Sequence, residues 1–401
     1  MEREETIMWM HKTALTIVTG FAATLLTASP HMTADAQDTV NIGMFTSLTG
    51  PSAIVGKDMQ RGVELAINRV NEGYEVPLKD GSTRAIGPGV NGSQIRLIVE
   101  DSESRPQAAM DSVRKLVNVD NVSVVLGEYS SGLTLPTGQF INENGVVQIS
   151  IGANSPKLRD VGPFFFDMIG LATLQGSAMV DLAEQAIGAK TFATFMPNNP
   201  YGVGVELAVC EAAKERGSEC VATVRYEEQK TDYRAELQQA NAPNPDAVIF
   251  FAYGAEAQLV LRQAYELGLN ASEKWFGTEV SNWVNEVTDT PEIAEGVRGI
   301  EHDVGGDFYN EQYAGPYEEA YGEKPLTVFG GYGYDAAMIA ALAIKEAGST
   351  EPDKIREAVH KAAETYKGVT GDKAVDEEGM QTNEDYAILI YKDGGLQPYT
   401  P

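Results

Sequence analysis

Apolar positions along the chain follow two alternating rhythms. Short apolar runs of strand character recur at 40–45, 95–99, 122–126 and 146–149, and between them 59–70, 105–117 and 134–144 carry apolar residues at helical spacing. Such repetition predicts a parallel sheet with helices on both faces. The rhythm restarts near 173. Helices are expected over 174–187, 202–216, 233–240 and 255–267, alternating with strands over 191–195, 220–226, 247–251 and 274–277. Two α/β units in series predict two lobes. Beyond 330 the pattern gives helices at 334–347 and 352–364, then hairpin strands within 374–396 around Glu377-Glu378-Gly379, the last strand being 386–391. The stretch 71–94 is Gly-rich and polar, a surface loop or hairpin.

The N-terminus changes the picture. Residues 13–28 are apolar and uncharged behind Lys12, and Ala34-Asp35-Ala36 offers a small-residue cleavage site. This pattern predicts a secretory signal peptide over 1–36, cleaved near Ala36, with Met8 or Met10 as a better start than the acidic MEREE opening. The apolar run is too short for a comfortable membrane span. Export predicts an oxidising compartment, so Cys210 and Cys220, the only cysteines, are expected to form a disulfide from a helix to the next strand. The alternative is two buried thiols. The formal net charge of −28 disfavours nucleic acid and anionic lipid as partners. It leaves the charge of a small ligand open.

Little in the chain points to catalysis. After residue 36 the histidines are His302 and His360, and neither stands in metal-ligand spacing. There is no G-x-S-x-G elbow and no Walker A motif, and no cofactor is expected. Asp372, Asp376 and Glu378 lack the glycine of a calcium loop and read as a solvated turn. Ser131 as a hydrolase nucleophile needs a base, and neither histidine follows a strand of this pattern.

Ligands bind open α/β sheets beyond the C-terminal strand ends. The residues at those ends are Ser130-Ser131, then Gly152-Ala153-Asn154-Ser155, Tyr201, Tyr253 and Glu279. One lobe offers hydroxyl and amide donors, and the other two aromatics and an acid. That set suits a zwitterion: a carboxylate at a helix start and an ammonium on Glu279. The competing reading has Tyr201 and Tyr253 as packing residues and Glu279 as a surface charge.

With these stretches in place, the chain over 38–395 resembles the type I periplasmic solute-binding proteins that serve ABC importers, the leucine/isoleucine/valine-binding family. The resemblance is carried by Ile42-Gly43 with Leu48-Thr49-Gly50-Pro51, Gly127-x-x-Ser130-Ser131, Ile149-Ser150 with Asn154-Ser155-Pro156, Tyr201-Gly202, Leu261-Arg262-Gln263-Ala264 and Gly368-Val369-Thr370-Gly371. It implies two Rossmann-like lobes joined by three hinge crossings, 38–171 plus 303–369 forming one and 172–302 plus 370–401 the other. It implies carboxylate-binding positions at Ser131, Gly152 and Asn154, the last often Thr in the family. Ammonium partners fall on Tyr253 and Glu279, a lid aromatic on Tyr201, and side-chain positions on Val55 and Phe329. Val55 stands where an aromatic is common. The implied protein is a monomeric periplasmic receptor that closes on an α-amino acid with an apolar or small side chain and docks on a membrane permease. The runner-up is the same fold holding a short amide, urea or small carboxylate.

Overall fold

The computed structural model describes residues 39–269 and 273–401. The expected signal peptide lies outside the described residues. The chain opens with β1 (Thr39–Thr46), α1 (Ala53–Glu72), β2 (Tyr74–Pro77), β3 (Thr83–Ile86), β4 (Gln94–Asp101), α2 (Pro106–Asn118), β5 (Val124–Leu126), α3 (Ser131–Glu143), β6 (Val147–Ser150) and β7 (Phe165–Asp167). Five of these strands form a parallel sheet in the order β4-β1-β5-β6-β7. Every residue of β5 and β6 is buried, as a sheet covered on both faces requires.

The second unit runs α4 (Ala172–Ile187), β8 (Thr191–Pro197), α5 (Pro200–Glu215), β9 (Glu219–Tyr226), α6 (Arg234–Asn241), β10 (Ala247–Phe250), α7 (Gly254–Glu266), β11 (Trp275–Gly277), α8 (Ser281–Val284) and β12 (Arg298–His302). The chain then continues through α9 (Gly306–Tyr309), α10 (Gly315–Tyr321), α11 (Phe329–Ala347) and α12 (Pro352–Thr365) before β13 (Tyr386–Lys392) and β14 (Gly395–Pro398). The second sheet has the order β14-β13-β12-β11-β10-β8-β9, antiparallel only where β13 meets β12 and β14. Helix α11 packs on α1 and so belongs with the first sheet. Its residues Phe329–Ile344 are all buried, which explains the small, Ala-rich sequence. No helix among the described residues is long and apolar enough to cross a membrane.

Three stretches carry the chain between the sheets: 168–171, 303–305 and 383–385. The third falls later than the expected 370. Residues 374–382 stay with the first sheet because the Asp167 amide donates to Gly379 O at 2.9 Å, and Arg159 pairs with Asp376 (2.7 Å) and Glu378 (2.6 Å). The expected hairpin around Glu377-Glu378-Gly379 shrinks to a single bridge, Val375–Gln381, and the true hairpin turns between β13 and β14.

The stretch 71–94 is the β2–β3 hairpin. It covers the ends of α11 and α12: Leu78 bridges Tyr366, Arg84 pairs with Glu346 at 2.9 Å, and Lys79 Nζ donates to Lys373 O at 2.6 Å. Cys210 on α5 and Cys220 on β9 are joined as a disulfide, Cα to Cα 5.3 Å.

Candidate functional site

Strand ends from both sheets converge on one carboxylate. Glu279, two residues past β11, is only 3 % exposed and has φ +48°, the left-handed region that a side chain of this size rarely enters. Its Oε1 accepts from Gln175 Nε2 of α4 at 3.0 Å and from Asn154 Nδ2, beyond β6, at 3.4 Å. Its Oε2 accepts from the Tyr129 hydroxyl, beyond β5, at 2.9 Å. Two donors therefore come from the first sheet's strand ends and one from the second unit.

Ser131 is the first residue of α3 and lines the same cavity as Glu279. Its Oγ accepts from the amides of Asn154 and Ser155, each at 3.1 Å, which locks the loop after β6 onto the start of α3. Tyr201, in the first turn of α5, donates to Gln175 Oε1 (3.1 Å) and accepts from Thr278 Oγ1 (2.9 Å). Its ring meets Phe251 edge-on at 4.8 Å. Tyr253, just before α7, packs on Phe251 at 4.7 Å and accepts from Asn199 Nδ2 at 3.2 Å. Burial pushes the hydroxyls of Tyr129, Tyr201 and Tyr253 well above the ordinary phenol range, so all three stay neutral. The space these groups enclose with Gly152 is about 10 Å³, a single water's worth. Beside it, sharing Tyr253, opens a chamber of about 500 Å³ that Ser130, Asn199, Glu228 and Lys230 help to line.

Not every expected residue reaches this space. Ala153 faces the other way, into an apolar cluster with Leu158, Phe165 and Met380. Gly152 lines the cavity, but its amide donates to Glu128 O at 3.2 Å. Val55 lines a separate small cavity with Ile54 and Asn282. Phe329 stands one layer behind, its ring 4.8 Å from that of Tyr129.

Residues 39–395 match the family model described as periplasmic binding protein. The chain belongs to that family. Among curated relatives, it is 28 % identical over 362 residues to the leucine-, isoleucine-, valine-, threonine- and alanine-binding protein of Pseudomonas aeruginosa, covering 88 % of this chain and 90 % of the relative. A Leu/Ile/Val-binding protein homolog of Brucella abortus is 26 % identical, covering 90 % and 92 %. Among solved structures, a leucine-binding protein of Thermotoga maritima superposes with TM-score 0.78 at 23 % identity, covering 90 % of this chain and 98 % of the other. A solute-binding protein of R. palustris in complex with 4-hydroxybenzoate superposes with TM-score 0.75 at 18 % identity, covering 90 % and 96 %. The fold is thus that of the two-lobed type I periplasmic binding proteins.

Several residues of this binding protein's cleft escaped the strand-end rule. Tyr129 stands at a strand end, three residues past β5 and beside the two serines, where the rule does reach. Gln175 lies inside α4 and carries no local signal. His302, which the sequence pattern places after no strand, is the last residue of β12, whose sequence RGIEH alternates too weakly to announce itself. Its Nδ1 lies 2.9 Å from Glu384 and its Nε2 4.0 Å from Glu279 Oε1. His302 therefore pairs with these acids, while the Ser131 hydroxyl is engaged by the Asn154 and Ser155 amides.

Proposed function

We propose that this chain is the substrate-binding component of an ABC importer, exported to the periplasm, which closes on an α-amino acid with an apolar or small side chain and presents it to a membrane permease. One observation carries the reading: a buried acid from one lobe, Glu279, faces the start of α3 and the Asn154 amide from the other. The first-turn amides and dipole of a helix favour a carboxylate, and a buried carboxylate favours an ammonium. An α-amino acid carries both charges. Capture requires the lobes to part about the three connecting stretches and to close again, as hinged receptors do. The relatives named for leucine, isoleucine, valine, threonine and alanine support this class of guest.

A second reading draws on Glu279 itself. With Gln175, Asn154 and Tyr129 all donating to it, the acid has partners before any guest arrives. A short amide or small carboxylate then needs no ammonium, and a structure of this fold holds 4-hydroxybenzoate. Calorimetry against the common amino acids, benzoate and short amides decides between the two. Binding of an amino acid tighter than about 100 μM supports the first reading, and none at that level rejects it. Glu279→Ala abolishes amino-acid binding under the first reading and spares a simple acid under the second.

A further inference from the structure

The three stretches that pass between the sheets meet at one carboxylate. Glu384, in the third, accepts from the Gly170 amide of the first at 2.7 Å and from His302 Nδ1, at the threshold of the second, at 2.9 Å. Tyr332 of α11 also donates to it. A Cβ on Gly170 would stand 2.5 Å from the Glu384 Cβ, so glycine is what lets the backbone come this close. The other ring nitrogen of His302 faces Glu279, the acid of the cleft, at 4.0 Å. Both side chains of the His302–Glu384 pair are buried, at 0 % and 5 % exposed.

A carboxylate only accepts, so a histidine between two of them is drawn toward the doubly protonated form. Burial by itself lowers the imidazole's proton affinity, but Glu384 and Glu279 outweigh it and raise the group to about 10. In the same way burial favours the neutral Glu384 acid, but His302 and the buried Lys373 hold it below the usual range. The remaining groups around the ring are Gln175 of α4 at 3.5 Å, Tyr386 of β13, Tyr332 of α11, and Glu301, whose carboxylate accepts from the Ser281 amide at 2.8 Å.

We propose that His302 is a positioning residue that links the cleft to the hinge: its imidazolium bridges Glu279 and Glu384, so that occupancy of the first acid is felt by the knot that ties the three connecting stretches. The inference rests on Glu279 receiving a guest's ammonium. A cation on Glu279 competes with His302 for it, shifts the imidazolium toward Glu384 and tightens the knot that holds the lobes closed.

Nitrogen-15 NMR of the histidine-labelled full chain tests this. Among the described residues the histidines are His302 and His360, so His302→Gln assigns the signals. The expected result is a doubly protonated His302 at about pH 8, where a free imidazole is neutral. L-alanine or L-leucine then moves its resonances, and calorimetry shows His302→Gln weakening that amino acid by roughly tenfold although the side chain does not line the cavity. Glu384→Gln has a similar effect, and the double variant is less impaired than the two losses combined. A neutral imidazole at that pH, resonances unmoved at saturation, or affinity of His302→Gln within about twofold of the unmodified protein overturns the link. Should His302→Gln not fold, the unmodified protein's spectrum and Glu384→Gln still decide. If the unmodified protein binds no amino acid, the zwitterion reading falls and this link with it. If it binds and His302→Gln is unaffected, only the link falls.

Discussion

The hydroxyl of Tyr129 donates a 2.9 Å hydrogen bond to Glu279 Oε2, joining the strand end of one sheet to that of the other. The bond exists only while the lobes are together, so it favours the closed form. A hydrogen bond to a charged group contributes about 1.5–3 kcal/mol. Tyr129→Phe keeps the ring packed on Phe329 and removes the bond. The ligand-free variant is expected to populate open forms more, seen as a larger radius of gyration by small-angle scattering. An unchanged scattering profile refutes the closing role.

Under the proposed function, the buried Glu279 is the acid that meets the guest's ammonium. Replacing one partner of a buried charged pair costs about 2–5 kcal/mol. Glu279→Gln is therefore expected to weaken α-amino acid binding by roughly 30-fold to several thousandfold, with the circular dichroism spectrum intact. Retained affinity in calorimetry contradicts an ammonium at this position.

Gly152 leaves room for an aromatic ring. A Cβ there would stand 2.9 Å from Tyr129 Cδ2 and 3.1 Å from Phe329 Cδ1. Gly152→Ala must displace the tyrosine and is expected to cost about 1–3 kcal/mol in unfolding free energy. Adding Tyr129→Leu restores much of that loss in a denaturant titration. Additive losses mean that the two positions do not share this space.

His302 makes stability pH-dependent at the alkaline end. Its folded value of about 10 lies above the usual imidazole value near 6.5, so the folded state binds the extra proton. The contribution is fully present below about pH 6.5 and is lost as pH rises toward 10, at about 1.4 kcal/mol per pH unit. His302→Gln flattens that limb of a stability-against-pH curve. Glu384 acts with the opposite sign: its carboxyl is held low, so its contribution is present at neutral pH and lost on acidification.

The Cys210–Cys220 bond closes a short loop, with a sequence separation of 10. Loop entropy for that length corresponds to about 2–3 kcal/mol. Reduction, or replacement of both residues by alanine, is expected to lower unfolding free energy by that amount. Cys210 lies about 13 Å along α5 from Tyr201, so guest affinity should not change; a change in Kd places the bond in communication with the cleft.

Much of this protein was legible as pattern. Strand runs such as 122–126 and helical stretches such as 352–364 are local signals, because burial on two faces or on one stripe imposes a fixed period on the residues themselves. The strand-end rule brought Ser131, Asn154, Tyr201, Tyr253 and Glu279 to one cavity because parallel sheets expose their C-terminal edges together. The rule says which end of a strand to inspect, and it says nothing about which way a side chain turns. Ala153 turned into the core beside Leu158, and Val55 turned to a different cavity.

By itself the sequence determined the two α/β units, the placing of the two cysteines on a helix and the next strand, and the types of group at the strand ends, all of which are local signals in the chain. Only the tertiary structure decided that Glu279, Gln175 and Tyr129 share hydrogen bonds, that His302 lies between two acids, and that Gly170, His302 and Glu384 meet. These contacts join residues as far apart as Gly170 and Glu384. They exist because the chain passes three times between two sheets, and the spacing of polar residues along it holds no record of where those passages coincide.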